Sequence, residues 1–448
     1  MWPPRMKSSA IAENGHRGPI GPQSEVLLSD RFPTLRRLLA WWPEAILAII
    51  TASEIAEDGL KSSAGDPAYY LKISEQVSQG MIPWRDFPFE YPPISLPPVL
   101  LPYFLPGGTS WEGYTRGLFT ENVLLLLAIG AGVAWLASRG WTHVSLTRAA
   151  LMYAALAISL APVVVWRYDA VPTLLTVLAV VAVTYNRAAL SGIAMGAAIV
   201  GKLYPIVMLP AMFVGLIRNS RLRPAFALVG VTIVTALLIL LPFVAIAGVG
   251  AFSWLEYAIA RSVQVESVPG GIALLASVLG GPESRIYHGF GTWQVDSPLI
   301  PMLGTMWTAF TVVMVLALAI AIWHRYRVER SSGGLGPTTM ITQLLAALMV
   351  VLVSARVLSP QYLFWAVPFV ALASRPKTLF FWATCLVTTF VYPNNYQELL
   401  NQQAYTIWAV NLRNAMLVIF TVWVIAPDVI GAFTSVGSRP STATAPSR

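Results

Sequence analysis

The stretch 224–246 reads PAFALVGVTIVTALLILLPFVAI and contains no charged side chain. A helix needs about 20 consecutive apolar residues to cross the hydrocarbon core of a bilayer. The whole chain of 448 residues is 56% hydrophobic and 11% charged, with a mean hydropathy of +0.65, whereas soluble domains carry about 25% charged residues. The sequence therefore predicts an all-α integral membrane protein.

Apolar runs predict about 12 transmembrane helices, with short interfacial helices in the outer loops. The predicted spans are 40–56, 117–137, 147–165, 170–185, 188–201, 203–217, 224–246, 300–323, 338–354, 359–373, 376–392 and 406–426. The segment 92–106 is excluded because it contains six prolines, which remove helix donors, and because it is short for a crossing. We expect it to be re-entrant or to lie at the outer interface.

The sequence pI of 9.6 does not indicate a nucleic-acid partner, because the basic residues cluster beside apolar runs. By the positive-inside rule this pattern predicts cytoplasmic N- and C-termini in the plasma membrane. No cleavable signal precedes the first apolar run. We expect a disordered cytoplasmic tail at 1–37, a transmembrane domain at 38–433 and a second tail at 434–448. The long loops 57–116 and 247–299 then lie outside, and function is expected there.

Few residues suggest metal or redox chemistry. The single cysteine, Cys385, lies in an apolar run and is predicted to be a packed small side chain. The four histidines are scattered without the spacing of a metal site. We expect no cofactor, and the metal requirement stays open.

The first outer loop contains Asp66 followed by Pro67, and Gly80 thirteen residues later. Asp caps a helix, Pro fits its first turn and Gly ends it, so a short helix is predicted here. Asp66 is therefore either a helix cap or a reactive carboxylate, and the two roles are compatible because a helix N-terminus favours an ionised carboxylate.

Further polar groups occur at or near the predicted outer ends of apolar runs, where charges are costly and usually face a cavity or a partner. They are Arg167, Tyr168, Asp169, Lys202, Tyr204, Arg261, Gln264, Glu266, Arg356, Gln361, Tyr362 and Arg413. Structural ion pairing, such as Asp169 with Arg167 or Lys202, is one interpretation. The other is a site for an anionic lipid head group, since guanidinium groups bind phosphate well.

Several ordered motifs resemble glycosyltransferase family 87, a GT-C family of polyprenyl-phosphate-mannose-dependent mannosyltransferases of actinobacteria. They are Asp66-x-x-Tyr69, Gly80-x-x-Pro83-Trp84-Arg85-Asp86-Phe87, Glu90-Tyr91-Pro92-Pro93, Arg167-Tyr168-Asp169, Gly201-Lys202-Leu203-Tyr204-Pro205, Arg261-x-x-Gln264-x-Glu266-Ser267 and Ser359-Pro360-Gln361-Tyr362. One departure is Trp84, where tyrosine is more usual. The set covers the chain from about 66 to 370.

The resemblance implies a GT-C-like bundle that transfers mannose, with inversion, from polyprenyl-phosphate-mannose to an acceptor on the outer face. Asp66 matches the general base. Lys202, Arg356, Arg413 and Arg261 are then candidates for binding the donor phosphate. The candidate substrate-binding residues are Arg85, Asp86, Glu90, Tyr91, Arg167, Asp169, Tyr204, Gln264, Glu266, Gln361 and Tyr362. The expected partners are this lipid donor, a glycolipid, lipoglycan, other glycan or protein acceptor, and membrane lipids.

Alternatives remain at this point. Arabinose is an alternative to mannose, and a multi-pass transporter or lipid flippase also has many spans and buried charges, although no repeat links the two halves. A noncatalytic scaffold is a third interpretation. The second outer segment, with Pro269-Gly270-Gly271, an apolar piece at 272–279 and Gly289 to Asp296, is predicted to form a lid or an acceptor wall. His288 within it is a further acid–base candidate.

Overall fold

A computed structural model of the protein describes residues 42–58, 65–217 and 222–437. The chain divides into two compact units, residues 1–46 and 47–448, and of the first only the start of one helix is described. The predicted tail 1–37 and most of the predicted tail 434–448 lie outside the described residues.

The described residues are mainly helical. The α-helices are α1 (Trp42–Asp58), α2 (Gly65–Ser78), α3 (Leu96–Phe104), α4 (Trp111–Ser138), α5 (Leu146–Ser159), α6 (Ala161–Val164), α7 (Ala170–Thr184), α8 (Ala188–Gly201), α9 (Leu209–Leu216), α10 (Arg223–Ala247), α11 (Ser253–Ala260), α12 (Val268–Val278), α13 (Ile300–Glu329), α14 (Pro337–Ser354), α15 (Val367–Val370), α16 (Arg375–Thr389), α17 (Tyr396–Leu400) and α18 (Ala404–Gly437). Short 3-10 turns Pro93–Ser95, Tyr204–Met208, Gly248–Phe252, Arg330–Ser332 and Pro360–Trp365 and a π-helical turn Phe390–Asn394 link some of them.

Long apolar helices confirm that this is a multi-pass membrane protein. Among the described residues, five helical segments are long and apolar enough to cross a membrane: Trp111–Ser138, Arg223–Ala260, Ile300–Glu329, Pro337–Ser354 and Ala404–Thr434. Each remaining predicted span coincides with one shorter helix or with a pair of consecutive short ones. The all-helical membrane class is therefore confirmed. The number of crossings stays a prediction.

Three predicted spans are broken where the sequence supplies proline. The run 147–165 divides into α5 and α6 before Pro162, and 203–217 becomes a 3-10 turn followed by α9. The run 359–373 is likewise a 3-10 turn and the four-residue helix α15. Proline lacks an N–H and clashes with the preceding turn, so a continuous helix does not form. Each break lies next to the candidate site described below.

The proline-rich segment 92–106 forms a 3-10 turn and α3, as its exclusion from the spans suggested. Pro97 and Pro98 occupy the first turn of α3, where a missing N–H costs nothing. The carbonyl oxygen of Val99 accepts hydrogen bonds from the Tyr114 hydroxyl (2.7 Å) and the Ser74 hydroxyl (3.0 Å). These bonds fix α3 against α4 and α2.

A β-hairpin is the exception to the all-α prediction. Strands β1 (Arg285–Gly289) and β2 (Thr292–Asp296) pair antiparallel, with Gly289 opposite Thr292. The two turn residues, Phe290 and Gly291, both have positive φ angles, 50° and 68°. This is the geometry of a two-residue turn that matches the twist of paired strands. This hairpin was not predicted from the sequence.

Helices α8 and α10 cross closely through two glycines one turn apart. A Cβ atom at Gly192 would lie 2.7 Å from the carbonyl oxygen of Leu228, and one at Gly196 would lie 2.6 Å from that of Thr232. Small residues spaced in this way let membrane helices approach until their backbones touch. The opposite face of α10 carries exposed apolar side chains such as Leu238 and Leu241.

Two buried clusters position the site. The larger one lies among the long helices and includes Leu344, Val353 and Phe369. The smaller one joins the first outer loop to the ends of α4 and α6 and is rich in aromatic residues. It contains Tyr70, Trp84, Phe89, Tyr114, Trp166, Tyr168 and Trp254. Its rings hold the loop that carries Asp66 and Glu90 onto the helical body.

Candidate active site

A cavity of about 600 Å³ lies where the two long loop segments meet the ends of several helices. Its lining brings together distant parts of the chain: α2, the segment 90–92, the segment 167–169, the end of α8, the loop after α11, the β-hairpin and the breaks after α14 and α16. The charged side chains that line it are Asp66, Glu90, Arg167, Asp169, Lys202, Arg261 and Glu266. All seven were candidates in the sequence.

Asp66 lies in the first turn of α2 and faces the cavity. One of its carboxylate oxygens, Oδ2, lies 2.5 Å from Nε of Arg167. The Arg167 guanidinium also donates from Nη2 to the Tyr392 hydroxyl at 3.0 Å. The Arg167 side chain is 11% exposed and that of Asp66 is 27% exposed, so the carboxylate is the more accessible partner. Arg167 thus anchors Asp66 at the edge of the cavity.

Asp169 pairs with Lys202 and not with Arg167. The Lys202 ammonium group lies 2.6 Å from Oδ1 of Asp169, and the Trp365 indole N–H donates to the same oxygen at 2.8 Å. Asp169 is 1% exposed, whereas Lys202 is 14% exposed and reaches the cavity. The Lys202 cation also lies 4.9 Å from the centre of the Tyr362 ring. One predicted ion pair is therefore present.

A third ion pair joins the two long loops. Nη2 of Arg261 donates to Oε2 of Glu90 at 2.6 Å, and Nε of Arg261 donates to the carbonyl oxygen of Phe290 in the hairpin turn at 3.0 Å. Burial raises the pKa of Glu90, and the Arg261 cation opposes that rise. A Cβ at Gly291 would lie 3.1 Å from Oε2 of Glu90. The glycine therefore leaves room for this pair.

Apart from Nε of Arg167, which is ion-paired with Asp66, four polar atoms of the lining are buried and have no hydrogen-bond partner among the described residues. They are Tyr168 OH, Gln264 Oε1, Glu266 Oε1 and Gln361 Oε1. Buried polar groups are normally hydrogen-bonded, so unpaired ones in a cavity indicate a polar ligand. Three of the four atoms are pure acceptors and the phenol accepts as well as donates, which suits a molecule rich in hydroxyl groups.

Glu266 is, with Asp169, one of the two most deeply buried acids of the cavity, each at 1% exposed. Burial raises the pKa of its carboxyl to about 7, although the Arg413 and Arg167 guanidinium groups lower it. Its backbone carbonyl accepts a 2.5 Å hydrogen bond from Nη2 of Arg413. Glu266 therefore changes charge near neutral pH, a property often found in catalytic sites.

One wall of the cavity is a stack of three aromatic rings. The Tyr204 and Trp365 rings lie 4.1 Å apart and within 6° of parallel, and Tyr362 stacks on Trp365 at the same distance. Lys202 lies beside this stack. Flat aromatic faces with a cation beside them suit a sugar or the start of an apolar chain next to a phosphate. Tyr204 and Tyr362 were candidates in the sequence, but Trp365 was missed although it follows Tyr362 by three residues.

The structure places four predicted site residues outside this cavity. Arg85 and Asp86 form an exposed ion pair with each other at 2.9 Å, and Asp86 also accepts from the backbone N–H of Ile82 at 2.8 Å. They stabilise a turn. Arg356 is exposed and lines a separate cavity, where its Nη2 donates to the carbonyl oxygen of Ile259. Arg413 is buried behind Glu266 and contacts the backbone of that residue.

The other predicted site residues line the cavity. The β-hairpin contributes further lining residues that were not predicted to bind substrate. Tyr91, Tyr204, Gln264, Gln361 and Tyr362 are part of the lining, as is His288, whose ring packs edge-on against Trp293 at 5.1 Å. Tyr70, Tyr392, Tyr396 and Trp293 were missed. Tyr392 is the last residue of the predicted span 376–392 and Tyr396 follows that span, and neither belongs to a motif that indicated a site.

The described ranges contain no group of three or more His, Cys, Asp or Glu side chains placed to hold a metal ion. Three of the four acids of the cavity are instead each close to a cation: Asp66 to Arg167, Asp169 to Lys202 and Glu90 to Arg261.

Fold and site define a multi-pass membrane protein with a polar, charged cavity at one end of its helices. The family model described as Glycosyltransferase family 87 matches residues 89–360 of the 448, and the chain belongs to this family. The resemblance stated from the motifs is therefore confirmed, and the protein is a membrane glycosyltransferase. Asp66, Arg85 and Asp86 precede the matched residues, so their roles do not follow from the match.

Two solved structures are similar to the chain. An oligosaccharyltransferase from Archaeoglobus fulgidus, crystallised with a tethered acceptor peptide, shares 14% identity at a TM-score of 0.38; the match covers 90% of this chain and 56% of that one. ArnT from Cupriavidus metallidurans shares 15% identity at a TM-score of 0.41, with 89% and 78% covered. With both TM-scores below 0.5, nothing about the site follows from either. No curated protein matches the chain.

Proposed function

We propose that the protein transfers a mannosyl residue from polyprenyl-phosphate-mannose to a glycolipid or lipoglycan acceptor on the outer face of the membrane, with inversion. The observation that carries the proposal is the shared cavity: the Asp66 carboxylate, three cations and four unpaired buried polar atoms line the same space. Family membership favours a transferase over the transporter and scaffold alternatives. The choice of mannose, lipid carrier and acceptor comes from the resemblance.

In the proposed reaction the acceptor hydroxyl oxygen attacks the anomeric carbon while the bond from that carbon to the phosphate oxygen breaks. The electron pair leaves with the polyprenyl phosphate, and the hydroxyl proton passes to Asp66. A transition state with oxocarbenium character is expected, as in glycoside hydrolysis. Proton transfer is then late, and a carboxylate held beside Arg167 suffices as base.

Lys202 and Arg261 are the proposed phosphate ligands, because both are cations of the cavity lining. Charge that develops on the leaving phosphate is stabilised most by cations already fixed in place. Lys202 is fixed by Asp169 and Arg261 by Glu90. Arg356 and Arg413 are not proposed for this role, because neither lines the cavity. The aromatic stack beside Lys202 is a surface for the sugar or the first prenyl unit.

The test uses membranes that contain the protein, radiolabelled polyprenyl-phosphate-mannose and a mixed lipid acceptor extract. Asp66→Asn is compared with Asp86→Asn, which lies in the same outer loop but forms an exposed turn outside the cavity. The wild type and Asp86→Asn should label a glycolipid, whereas Asp66→Asn should not. Equal labelling by all three would exclude Asp66 as the base.

Donor identity is tested in the same membranes. If the protein transfers sugar only from a polyprenyl-phosphate-arabinose donor, the proposed sugar is wrong but the proposed role of the cavity stands. If neither donor labels any lipid, glycan or protein in the extract, the proposed donor class is wrong. The anomeric configuration of the transferred sugar, measured by NMR and compared with that of the donor, reports whether the anomeric centre has inverted.

A further inference from the structure

A second cavity, of about 640 Å³, lies beside the first turns of α13, and we call it the α13 cavity. One face of α13 forms its longest wall, from Ile300 to Thr311. The start of α12, the segment 262–263 and the end of α14 with Arg356 form the rest. None of its lining residues lines the candidate active site, so the proposed reaction makes no use of this space.

The two cavities share a wall. In the segment 261–264 the first and last residues line the candidate active site, whereas the two residues between them line the α13 cavity. In the segment 354–356 the middle residue lines the candidate active site, and its two neighbours line the α13 cavity. The backbone N–H of Gln264 donates to the carbonyl oxygen of Arg356 at 2.9 Å, which joins the two segments. The α13 cavity is therefore directly adjacent to the candidate active site.

The face of α13 that lines this cavity is polar, although α13 is apolar enough to cross a membrane. Thr305, Thr308 and Thr311 lie on it, since residues three apart share a helix face. Their hydroxyl groups donate to carbonyl oxygens one turn earlier at 2.8–3.1 Å, and each oxygen can still accept a hydrogen bond. The exposed side chains of Met302 and Met306 lie on another face. Polar groups on a spanning helix usually face a partner, so this face indicates a ligand with hydrogen-bond donors.

The α13 cavity is also long and partly apolar. Each helical residue adds about 1.5 Å, so the lining face over 301–311 is about 15 Å long. This is about half of the roughly 30 Å hydrocarbon core of a bilayer. Trp307 lines the cavity and is fixed by its indole N–H, which donates to the carbonyl oxygen of Val353 at 3.1 Å. Val263 and Pro269 add to the apolar part. This shape suits the head group and first chain carbons of a lipid.

A cation and an unpaired hydroxyl group line the α13 cavity at the shared wall. Nη2 of Arg356 donates to the carbonyl oxygen of Ile259 at 3.0 Å, and no carboxylate of the described residues forms an ion pair with this guanidinium group. Oγ of Ser354 is buried and has no hydrogen-bond partner within the described ranges. Guanidinium groups bind phosphate well, and an unpaired buried hydroxyl indicates a polar ligand. The shared wall therefore suits an anionic, hydroxyl-bearing head group.

The prenyl chain of the donor has a different exit. The lining of the candidate active site includes Leu203 and Ile206, which are 42% and 52% exposed. Both follow Lys202, the proposed phosphate ligand, so an apolar path begins beside the donor phosphate. The α13 cavity lies on the other side of the shared wall, which leaves it for a second lipid.

We propose that the α13 cavity binds the anchor of the acceptor, a lipid with a phosphate and hydroxyl groups in its head group. The phosphate contacts Arg356, the hydroxyl groups contact Ser354 and the threonines of α13, and the first chain carbons lie beside Trp307. The identity of this lipid as the acceptor rests on the proposed transferase function, whereas the binding of a phospholipid in the α13 cavity does not.

The main test fills the α13 cavity. A Cβ at Gly304 would meet nothing within 4 Å, so Gly304→Leu places a side chain in the cavity without a clash at its first atom, and leucine forms helices better than glycine does. The matched control is Gly230→Leu on α10, where a Cβ also meets nothing within 4 Å and which lines neither cavity. Transfer is measured in membranes while the lipid acceptor extract and radiolabelled polyprenyl-phosphate-mannose are each varied.

Gly304→Leu should raise the amount of extract that gives half-maximal labelling by about tenfold, which corresponds to about 1.4 kcal/mol. The half-saturating donor concentration should not change, and Gly230→Leu should match the wild type in both. A raised requirement for the donor instead would mean that the prenyl chain occupies this cavity, and unchanged requirements for both substrates would exclude the acceptor. If Gly304→Leu does not fold, Arg356→Gln is compared with Arg285→Gln, an exposed cation outside both cavities.

A second measurement does not depend on transfer. The full-length protein in phosphatidylcholine nanodiscs is irradiated with a phosphatidylglycerol probe that carries a diazirine next to the glycerol, and adducts are located by peptide mass spectrometry. Adducts on Thr308 and Thr311 report the α13 cavity, and adducts on Met302 and Met306 report the surrounding bilayer. The second pair is the internal reference, because both methionines are exposed on another face of the same helix.

The ratio of cavity adducts to bilayer adducts should fall in Gly304→Leu and stay at the wild-type value in Gly230→Leu. If the wild type transfers no sugar but this ratio falls, the proposed function is wrong, and the phospholipid site stands without an acceptor role. A ratio that is the same in the wild type and in both variants would overturn the site itself.

Discussion

The pair formed by Lys202 and Asp169 should be strongly coupled, and a double-mutant cycle measures that coupling. Lys202→Met removes the cation from a carboxylate that is 1% exposed. At 2.6 Å and an effective dielectric constant of about 20, the gross attraction is about 6 kcal/mol. Desolvation offsets part of this, and breaking a buried pair by removal of one partner costs about 3–5 kcal/mol. We expect Lys202→Met to destabilise the protein by that amount.

The other two corners of the cycle have different expected costs. Asp169→Asn leaves Lys202 with 14% exposure and with aromatic rings 4.9–5.3 Å from its ammonium group, and such rings contribute about 0.5–2 kcal/mol each to a cation. This variant should therefore lose less stability than Lys202→Met. The double variant carries no unpaired buried charge, and it should be more stable than Lys202→Met alone.

The assay is denaturant unfolding in mixed micelles, followed by tryptophan fluorescence, for the wild type and the three variants. A coupling free energy of about 2–3 kcal/mol is expected, at the upper end of the range found for residues in one ion-pair network. Additive effects of the two substitutions would refute the reasoning, because they would mean that the two charges do not interact in the folded protein. Transfer activity should fall in every variant that lacks Lys202.

Three further predictions concern other parts of the structure. Burial raises the pKa of Glu266 to about 7, above its pKa of about 4.3 in the unfolded chain. The stability that the protonated Glu266 carboxyl contributes is therefore present below the unfolded pKa and is lost as the pH rises to 7. The melting temperature of the wild type should fall over this pH window relative to that of Glu266→Gln. Gly196→Ala places a new Cβ 2.6 Å from a backbone oxygen of α10 and should destabilise the protein by about 1–3 kcal/mol. The control Gly230→Ala places its Cβ where no atom lies within 4 Å and should not destabilise the protein. Thermal melts of both variants measure the difference. Gly291→Ala forces alanine to a φ of +68° next to the Glu90–Arg261 pair at a cost of about 1–3 kcal/mol, and transfer assays should show reduced affinity for the donor.

The sequence predicted where apolar helices lie, because the requirement for about 20 apolar residues leaves a strong signal. It did not predict the 3-10 turns that interrupt the predicted spans 203–217 and 359–373. A proline indicates that a helix ends, but it does not indicate which short turn follows. The hairpin at 285–296 was missed because a two-strand element inside a long loop has too little alternation to stand out. Helical periodicity was the stronger pattern elsewhere.

Several of the charged residues near membrane depth line one cavity, but the sequence could not assign their partners. Arg167 and Asp169 are two residues apart and face the same cavity, yet each pairs with a residue from another part of the chain. Arg413 was grouped with the phosphate ligands because it lies in an apolar run near two asparagines. The direction in which its side chain points depends on the packing of α18 against α12, which no local pattern encodes.

The cavity holds four carboxylates and three cations, and one carboxylate, that of Glu266, changes charge near pH 7. Bringing the negative charge of a lipid phosphate into this space increases the affinity of Glu266 for a proton, since like charges favour the neutral form. Donor binding and proton uptake are therefore thermodynamically linked. In titration calorimetry, the apparent heat of donor binding should change with the ionisation enthalpy of the buffer, and this dependence should disappear in Glu266→Gln.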